Sequence, residues 1–264
     1  MRLSIDVELD YHLPQRAAVL LALEAAQTPD QRLVSDKLIV GSDTPLTPIP
    51  AEEGIGRRTW TGGEGRFTAR YEAVVDVERE AVDLATLHTV PLGAIPGPAV
   101  AYLWPSRYCE SERMKPFALE QFGNYRGGAQ VVQVAEWTRA NLEYRPGCSD
   151  SSTTAHDTFH EKKGICRDFA HVMIGLTRAL DIPARMVSAY AWDLSPPDFH
   201  AVVEVYLAGP GGDGAWYLVD PSGLAPVEGL VRIGVGRDAT DISFMTIFGT
   251  ANLNRQRVWV ERSA

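Results

Sequence analysis

Residues 164–171 read Gly164-Ile165-Cys166-Arg167-Asp168-Phe169-Ala170-His171, and no other stretch limits the fold as tightly. Phe169, Ala170, Met173, Ile174, Leu176, Thr177 and Leu180 follow Cys166 at helical spacing. The run therefore predicts an amphipathic helix from residue 166 to about 180. A cysteine in the first turn of a helix lies beside unpaired N–H groups and the positive end of the helix dipole, and both favour thiolate over thiol. A lone cysteine is also a common buried apolar residue, so the reading needs partners. The chain offers them in order. His200 stands in the otherwise apolar run Phe199-His200-Ala201-Val202-Val203-Glu204-Val205-Tyr206-Leu207, and Asp220 follows Trp216-Tyr217-Leu218-Val219 and precedes Pro221. A nucleophile needs a base to take its proton and a third group to orient that base. Cys166, His200 and Asp220 supply those types, although an aspartate before proline is equally a turn former.

Composition bounds the setting. With 45% hydrophobic and 22% charged residues among 264, the chain is an ordinary folded protein. A net charge of −9 and a pI near 5.2 argue against a nucleic-acid partner, which needs a basic face, and against docking on an anionic membrane. Cys109, Cys148 and Cys166 form no CxxC pair, which suits a reducing compartment with at most one bridge, Cys109 to Cys148. The first residues lack an apolar segment of signal-peptide length, and residues 19–23 are too short to span a bilayer. The expected location is cytoplasmic.

Two compositional regions follow. Residues 3–9 alternate Leu3, Ile5, Val7 and Leu9 with Ser4, Asp6 and Glu8, which predicts a half-buried strand. Residues 17–26 are apolar on both parities and read as a buried strand or a short helix, with strand favoured by the neighbours. Residues 32–40 and 65–77 read as strands, residues 44–50 as an exposed loop, and Gly54, Gly56, Gly62, Gly63 and Gly65 as loops and a hairpin-like turn. Residues 1–95 are thus expected to form an all-β domain. Residues 84–105 hold four prolines and two glycines and make the best linker. Beyond it, Val131, Val134, Ala135, Thr138 and Leu142 line a helix that stops at Tyr144-Arg145-Pro146-Gly147. Residues 151–154 cap a short helix. Residues 185–190, 201–207, 215–219, 231–235 and 255–261 read as strands, with a hairpin loop at 209–214. Residues 100–264 are expected to form one α+β domain, helices packed on an antiparallel sheet.

Several blocks together carry a resemblance. The Gly164–His171 run, then Asp181-Ile182-Pro183-Ala184-Arg185-Met186-Val187-Ser188-Ala189-Tyr190, the His200 strand and the Asp220-Pro221 turn resemble the transglutaminase-like superfamily, in particular its bacterial branch of transglutaminase-like cysteine peptidases. Leu103-Trp104-Pro105-Ser106-Arg107-Tyr108 and Gly236-Arg237-Asp238 with Asp241 are similar to pieces of the same branch. Two departures stand out. Val202 takes a place where many members have Trp, and no Trp lies between Trp137 and Cys166, where animal transglutaminases carry an oxyanion donor.

The resemblance implies a papain-like, transglutaminase-like catalytic domain and acyl transfer on amide or peptide bonds through Cys166, His200 and Asp220. The substrate would be a peptide, a protein or a small amide. Hydrolysis is favoured, and transfer to an amine shares the same acylation chemistry. The Cys166 N–H would be one oxyanion donor, with the second expected around residues 151–154. No cofactor or metal is required. Asp168 and His171 are either helix-start neighbours that complement the dipole or substrate-binding groups, and Arg237 and Asp238 are a loop ion-pair set placed by the resemblance near the cleft. The N-terminal domain is expected to form one wall of the cleft or shape an interface, a homo-oligomer is compatible with the sequence, and a chain beginning near Val100 is expected to keep its reactive thiol. Two rival readings are a binding module without turnover and a zinc hydrolase built on His156-Asp157-Thr158-Phe159-His160, whose histidines are spaced to share a metal on a helix.

Overall fold

The alternation that begins at Leu3 extends through one long strand, β1 (Arg2–Leu21), which buries Leu3, Ile5, Val7 and Leu9 and turns the intervening polar residues outward. The computed structural model describes residues 1–263. β2 (Gln31–Gly41), β3 (Thr47–Pro50) and β4 (Arg57–Val77) follow. β4 pairs antiparallel with β1 from Arg2↔Asp76 to Leu21↔Thr59. The glycines at 62, 63 and 65, read from sequence as a loop or turn, therefore lie inside a strand. The reason is local: the β1–β4 register shifts between Leu13 and Ala17, and a Cβ at Gly62 would sit 2.6 Å from the Ala17 carbonyl oxygen. Residues 22–26, read with β1 as strand, leave it and bond to other segments, Ala22 N–H to Phe244 O and Ala26 N–H to Arg232 O, both at 2.8 Å. Thr47–Pro50, expected as loop, is a short edge strand on β4.

The proline-rich stretch passes through α1 (Gly97–Val100) and is docked rather than free. His88 forms a bridge with Ala208, and Gly128 N–H bonds Leu87 O at 3.0 Å. Then come α2 (Ser111–Phe122), α3 (Gly127–Asn141), β5 (Glu143–Tyr144), α4 (Ala155–Glu161), β6 (Lys163–Gly164) and α5 (Cys166–Ala179). α2 has no counterpart in the sequence reading. Its core positions Met114, Ala118 and Phe122 have helical spacing, but Pro116 lies inside the helix and masks the signal. The remaining elements are β7 (Ala184–Ala191), β8 (Phe199–Ala208), β9 (Gly214–Val219), β10 (Leu230–Gly236), α6 (Ala239–Ile242), β11 (Met245–Phe248) and β12 (Asn252–Arg262).

The architecture is α+β, with two antiparallel sheets. The first has the order β11-β1-β4-β2, with β12 also on β1 and β3 on β4; the second runs β10-β7-β8-β9. The C-terminal strand at 255–261, assigned by sequence to the catalytic domain, pairs with β1 from Leu3↔Arg262 to His12↔Asn252. The first sheet is thus built from both ends of the chain.

β7 is buried at all eight positions because both faces of its sheet are covered. Met186, Val203 and Val205 pack into one core with α5 residues Phe169, Met173 and Ile174, while Tyr190, Val231 and Ile233 join the core of the first sheet. Helices, second sheet and first sheet form successive layers. The expected amphipathic helix at Cys166 is corrected accordingly: α5 is buried on every side from Asp168 to Ala179. Its charged Arg178 is accommodated by bonds to the carbonyls of Ala184 (2.9 Å), Trp104 (3.0 Å) and Arg237 (2.6 Å). Among the described residues no helix is long and apolar enough to cross a membrane.

Candidate active site

Cys166 opens α5 because of the residues on either side of it. A Cβ at Gly164 would lie 2.6 Å from the Asp168 Cβ, so glycine leaves the space in which Asp168 turns back over the helix start. Asp168 Oδ2 accepts from Ile165 N–H at 2.9 Å and from Ser149 Oγ at 2.5 Å. With 0% exposure, Asp168 caps the start of α5 from within the core.

His200 begins β8 and Asp220 directly follows β9, its antiparallel neighbour. This pairing brings the Asp220 carboxylate to His200, with Nε2 to Oδ2 at 3.0 Å. Asp220 also accepts from Ser222 N–H (2.9 Å), Ser222 Oγ (2.6 Å) and Ala225 N–H (3.0 Å), so it forms the turn and holds the ring at once. The Cys166 side chain acts on the same ring and helps to raise its pKa. Since Nε2 is taken by Asp220, Nδ1 is the nitrogen left for the thiol. Burial opposes a charged imidazole here, yet the hydrogen bonds to Asp220 and Cys166 outweigh it and raise the His200 pKa to about 9. Burial likewise works against the Asp220 carboxylate, and the His200 bond and charge prevail, holding its pKa below the usual range.

A fourth group joins these three. Tyr144 pairs across the parallel β5–β6 ladder with Gly164, and its ring packs against Phe169 with centroids 5.9 Å apart. This sets Tyr144 beside the start of α5. Burial, followed by the charge on Cys166, pushes the Tyr144 pKa up to about 12. By sequence Tyr144 belongs to a helix stop, and nothing in its neighbourhood signals more. Around residues 151–154, where the second oxyanion donor is expected, the Ser152 and Thr153 hydroxyls bond Asp150, and Thr154 caps α4 through Asp157.

The other expected substrate ligands lie elsewhere. His171 is 0% exposed, accepts from Ala239 N–H at 3.2 Å and stacks on Tyr108 at 5.1 Å; burial holds its pKa down at about 3. Buried Asp238 accepts from Tyr108 N–H (3.1 Å) and from Thr240 N–H (2.9 Å), capping α6. Arg237 pairs with Asp241 at 2.9 Å on the surface. Asp168, His171 and Asp238 are therefore each buried, while the Arg237 guanidinium stays exposed on Asp241.

All three cysteines are free, so the Cys109–Cys148 bridge allowed by sequence does not form. His156 and His160 do come together, Nε2 to Nε2 at 3.1 Å. Asp157, the counterpart of a zinc-enzyme base, is occupied in the α4 capping box, and among the described residues no third His, Cys, Asp or Glu completes a ligand set. A cavity of about 720 Å³ lies between the two sheets' loops, lined by Asp30, Arg79, Trp216, Tyr217 and Asp220, and touches the site through Asp220 alone of the three.

Known proteins resemble this chain. Residues 120–221 match the family described as the transglutaminase-like superfamily. A crystal structure of a candidate cysteine protease from Cytophaga hutchinsonii is 35% identical and superposes with a TM-score of 0.92 over 99% of this chain and 90% of that one. The chain belongs to the transglutaminase-like superfamily. An uncharacterized protein of Mycobacterium leprae is 33% identical over 127 residues, covering 46% of this chain and 44% of that protein. One from Mycobacterium tuberculosis is 26% identical over 143 residues, 50% of this chain and 46% of that protein. The chain thus spans less than half the length of these mycobacterial relatives.

Proposed function

We propose that this protein is a cysteine-dependent acyl-transfer enzyme, acting on amide or peptide bonds as a peptidase or amidase. The observation that carries the reading is the buried pair of His200 and Asp220, Nε2 to Oδ2 at 3.0 Å, with Cys166 acting on the same imidazole to raise its pKa. His200 holds the proton that the Cys166 thiol gives up, and Sγ attacks the acyl carbonyl carbon. Asp220 keeps the imidazole oriented and stabilises its charge. The C–N bond then breaks, and the His200 proton leaves with the amine. Water, activated by the same imidazole, releases the acid and restores the thiol. The likeness to the candidate cysteine protease of Cytophaga hutchinsonii favours water over an amine as acceptor. Free thiols and an acidic surface suit a reducing, cytoplasmic setting.

The test is mass spectrometry of the protein incubated with a peptide library. An adduct mapping to Cys166 is expected, lost in Cys166→Ala and His200→Ala and retained at a low level in Asp220→Ala, because the orienting residue of a triad costs less than its nucleophile or base. An adduct that survives His200→Ala would remove His200 as the base. A wild-type protein that formed no adduct would leave the binding-module reading in its place.

A further inference from the structure

α4 carries two imidazoles that the acyl-transfer reading does not use. His156 and His160 stand four residues apart on one face of the helix, so their side chains meet. Nε2 of one lies 3.1 Å from Nε2 of the other, and among the described residues neither ring has a further hydrogen-bond partner. The ring centroids are 4.4 Å apart, so the nitrogens are closer than the ring centres and the two Nε2 edges converge. A head-on N–H···N bond would set the centroids two ring radii farther apart than the nitrogens, and 4.4 Å falls short of that. Metal–imidazole bonds of about 2.0–2.1 Å place two nitrogens roughly 2.9 Å apart at a right angle and roughly 3.3 Å apart at the tetrahedral angle. The observed 3.1 Å falls between the two. The helix around the pair is fixed. Thr154 and Asp157 form the capping box at its start, and Glu110 accepts from the His156 main-chain N–H at 3.2 Å. Glu110 also pairs with Arg113, which offsets that charge. His160 is exposed and His156 half-buried, so solvent reaches the pair.

We propose that His156 and His160 are a two-imidazole chelate for a divalent transition metal of the Ni²⁺, Cu²⁺ and Zn²⁺ class. Neutral imidazole is a ligand suited to these ions. Each Nε2 gives its lone pair to the metal while Nδ1 keeps the proton. Water fills the remaining positions, because among the described residues no third His, Cys, Asp or Glu completes the set. Such a site is independent of acyl transfer, and Asp157 is engaged in the capping box. What the ion does is mechanical: it ties one turn of a seven-residue helix whose end leads through Lys162 and β6 to Cys166. An ion that binds only the folded helix stabilises the fold by mass action.

A thiolate also binds these metals, so the test titrates Ni²⁺ into the full chain carrying Cys166→Ala and reads binding by calorimetry at neutral pH. One equivalent is expected to bind. Adding His156→Gln or His160→Gln should weaken binding roughly 10-fold or more, since the loss even of an outer-sphere partner costs that much. The two substitutions together should lose little beyond either alone, because non-additivity marks two ligands on one ion. Cu²⁺ should bind more tightly than Ni²⁺. Saturating Ni²⁺ should raise the thermal midpoint of the parent and leave that of each His variant in place. Should the half-buried His156→Gln disturb the metal-free midpoint, the exposed His160→Gln decides the matter. No binding to the parent, binding untouched by either substitution, or losses that simply add in the double variant would overturn the chelate.

Discussion

His200 Nε2 and Asp220 Oδ2 lie 3.0 Å apart, with His200 only 2% exposed. A histidine whose folded pKa exceeds its unfolded value stabilises the fold only while it is protonated. The unfolded value is about 6.5, and the folded value is about 9. The contribution is therefore complete below about pH 6.5 and lost as pH rises through about 9. Urea unfolding of the wild type and of Asp220→Asn across this range should give a stability gap that narrows from the acidic to the alkaline end. A gap that held constant would mean that His200 is not a charged partner of Asp220 in the resting protein.

The three thiols should react in a defined order. Burial pushes the Cys109 thiol up to about 12 and removes it from solvent, while Cys166 is half-buried beside His200. Peptide mapping after brief iodoacetamide treatment at neutral pH should find Cys166 modified first and Cys109 last. Faster labelling of Cys109 or Cys148 would contradict the assignment of Cys166 as nucleophile.

Glu204 is buried between two arginines, accepting from Arg185 at 2.8 Å and from Arg232 at 2.7 Å. Arg185 continues to Glu53 at 2.7 Å and Arg232 to Asp30 at 2.8 Å, which ties the segments around the first sheet to the second. Removing one member of a buried charge network leaves its partners uncompensated, and Glu204→Ala should lower stability by about 3 kcal/mol or more in denaturant titrations. Glu204→Gln, which keeps a hydrogen-bond acceptor in place, should cost less. Equal stability of Glu204→Ala and wild type would show that the network contributes no net stabilisation.

A chain beginning at Val100 should fail to fold, contrary to the expectation raised by sequence. It lacks β1 and β4, which leaves β11 and β12 without a partner. It also uncovers Tyr190, whose hydroxyl donates to Leu23 O at 2.5 Å and whose ring stacks on Tyr71 at 6.2 Å. Val231 and Ile233 would be exposed with it. Circular dichroism and sedimentation of the shortened chain provide the check: a soluble, cooperatively folding product with a reactive Cys166 would show that the catalytic layer stands without the first sheet.

Much of the site was legible before any coordinates. Cys166 at a helix start, His200 at the head of an apolar strand and Asp220 at a strand end are local features, because each depends on spacing and capping within a few residues. The alternation of β1 and the apolar runs of β7 and β8 are local in the same way. What escaped was set by neighbours distant in sequence. Pro116 hid α2, whose core face exists only because α5 packs against it, and Gly62 reads as a turn residue until Ala17 is seen approaching it.

The sequence by itself determined the chemical types, their order and the secondary structure that carries them, since these follow from hydrophobic period and residue chemistry along the chain. Only the tertiary structure decided which of those types meet. Asp168, His171 and Asp238 look as functional as Asp220 in one dimension, yet Asp220 is the one that long-range pairing brings to His200. Tyr144 looks like the end of a helix, yet a two-residue ladder carries it opposite Gly164, two residues before Cys166. The C-terminal strand is half-buried and alternating in either sheet, and pairing with β1 chose the first. Such choices belong to the whole packed chain, because the partners of a side chain are set by long-range pairing that no local pattern records.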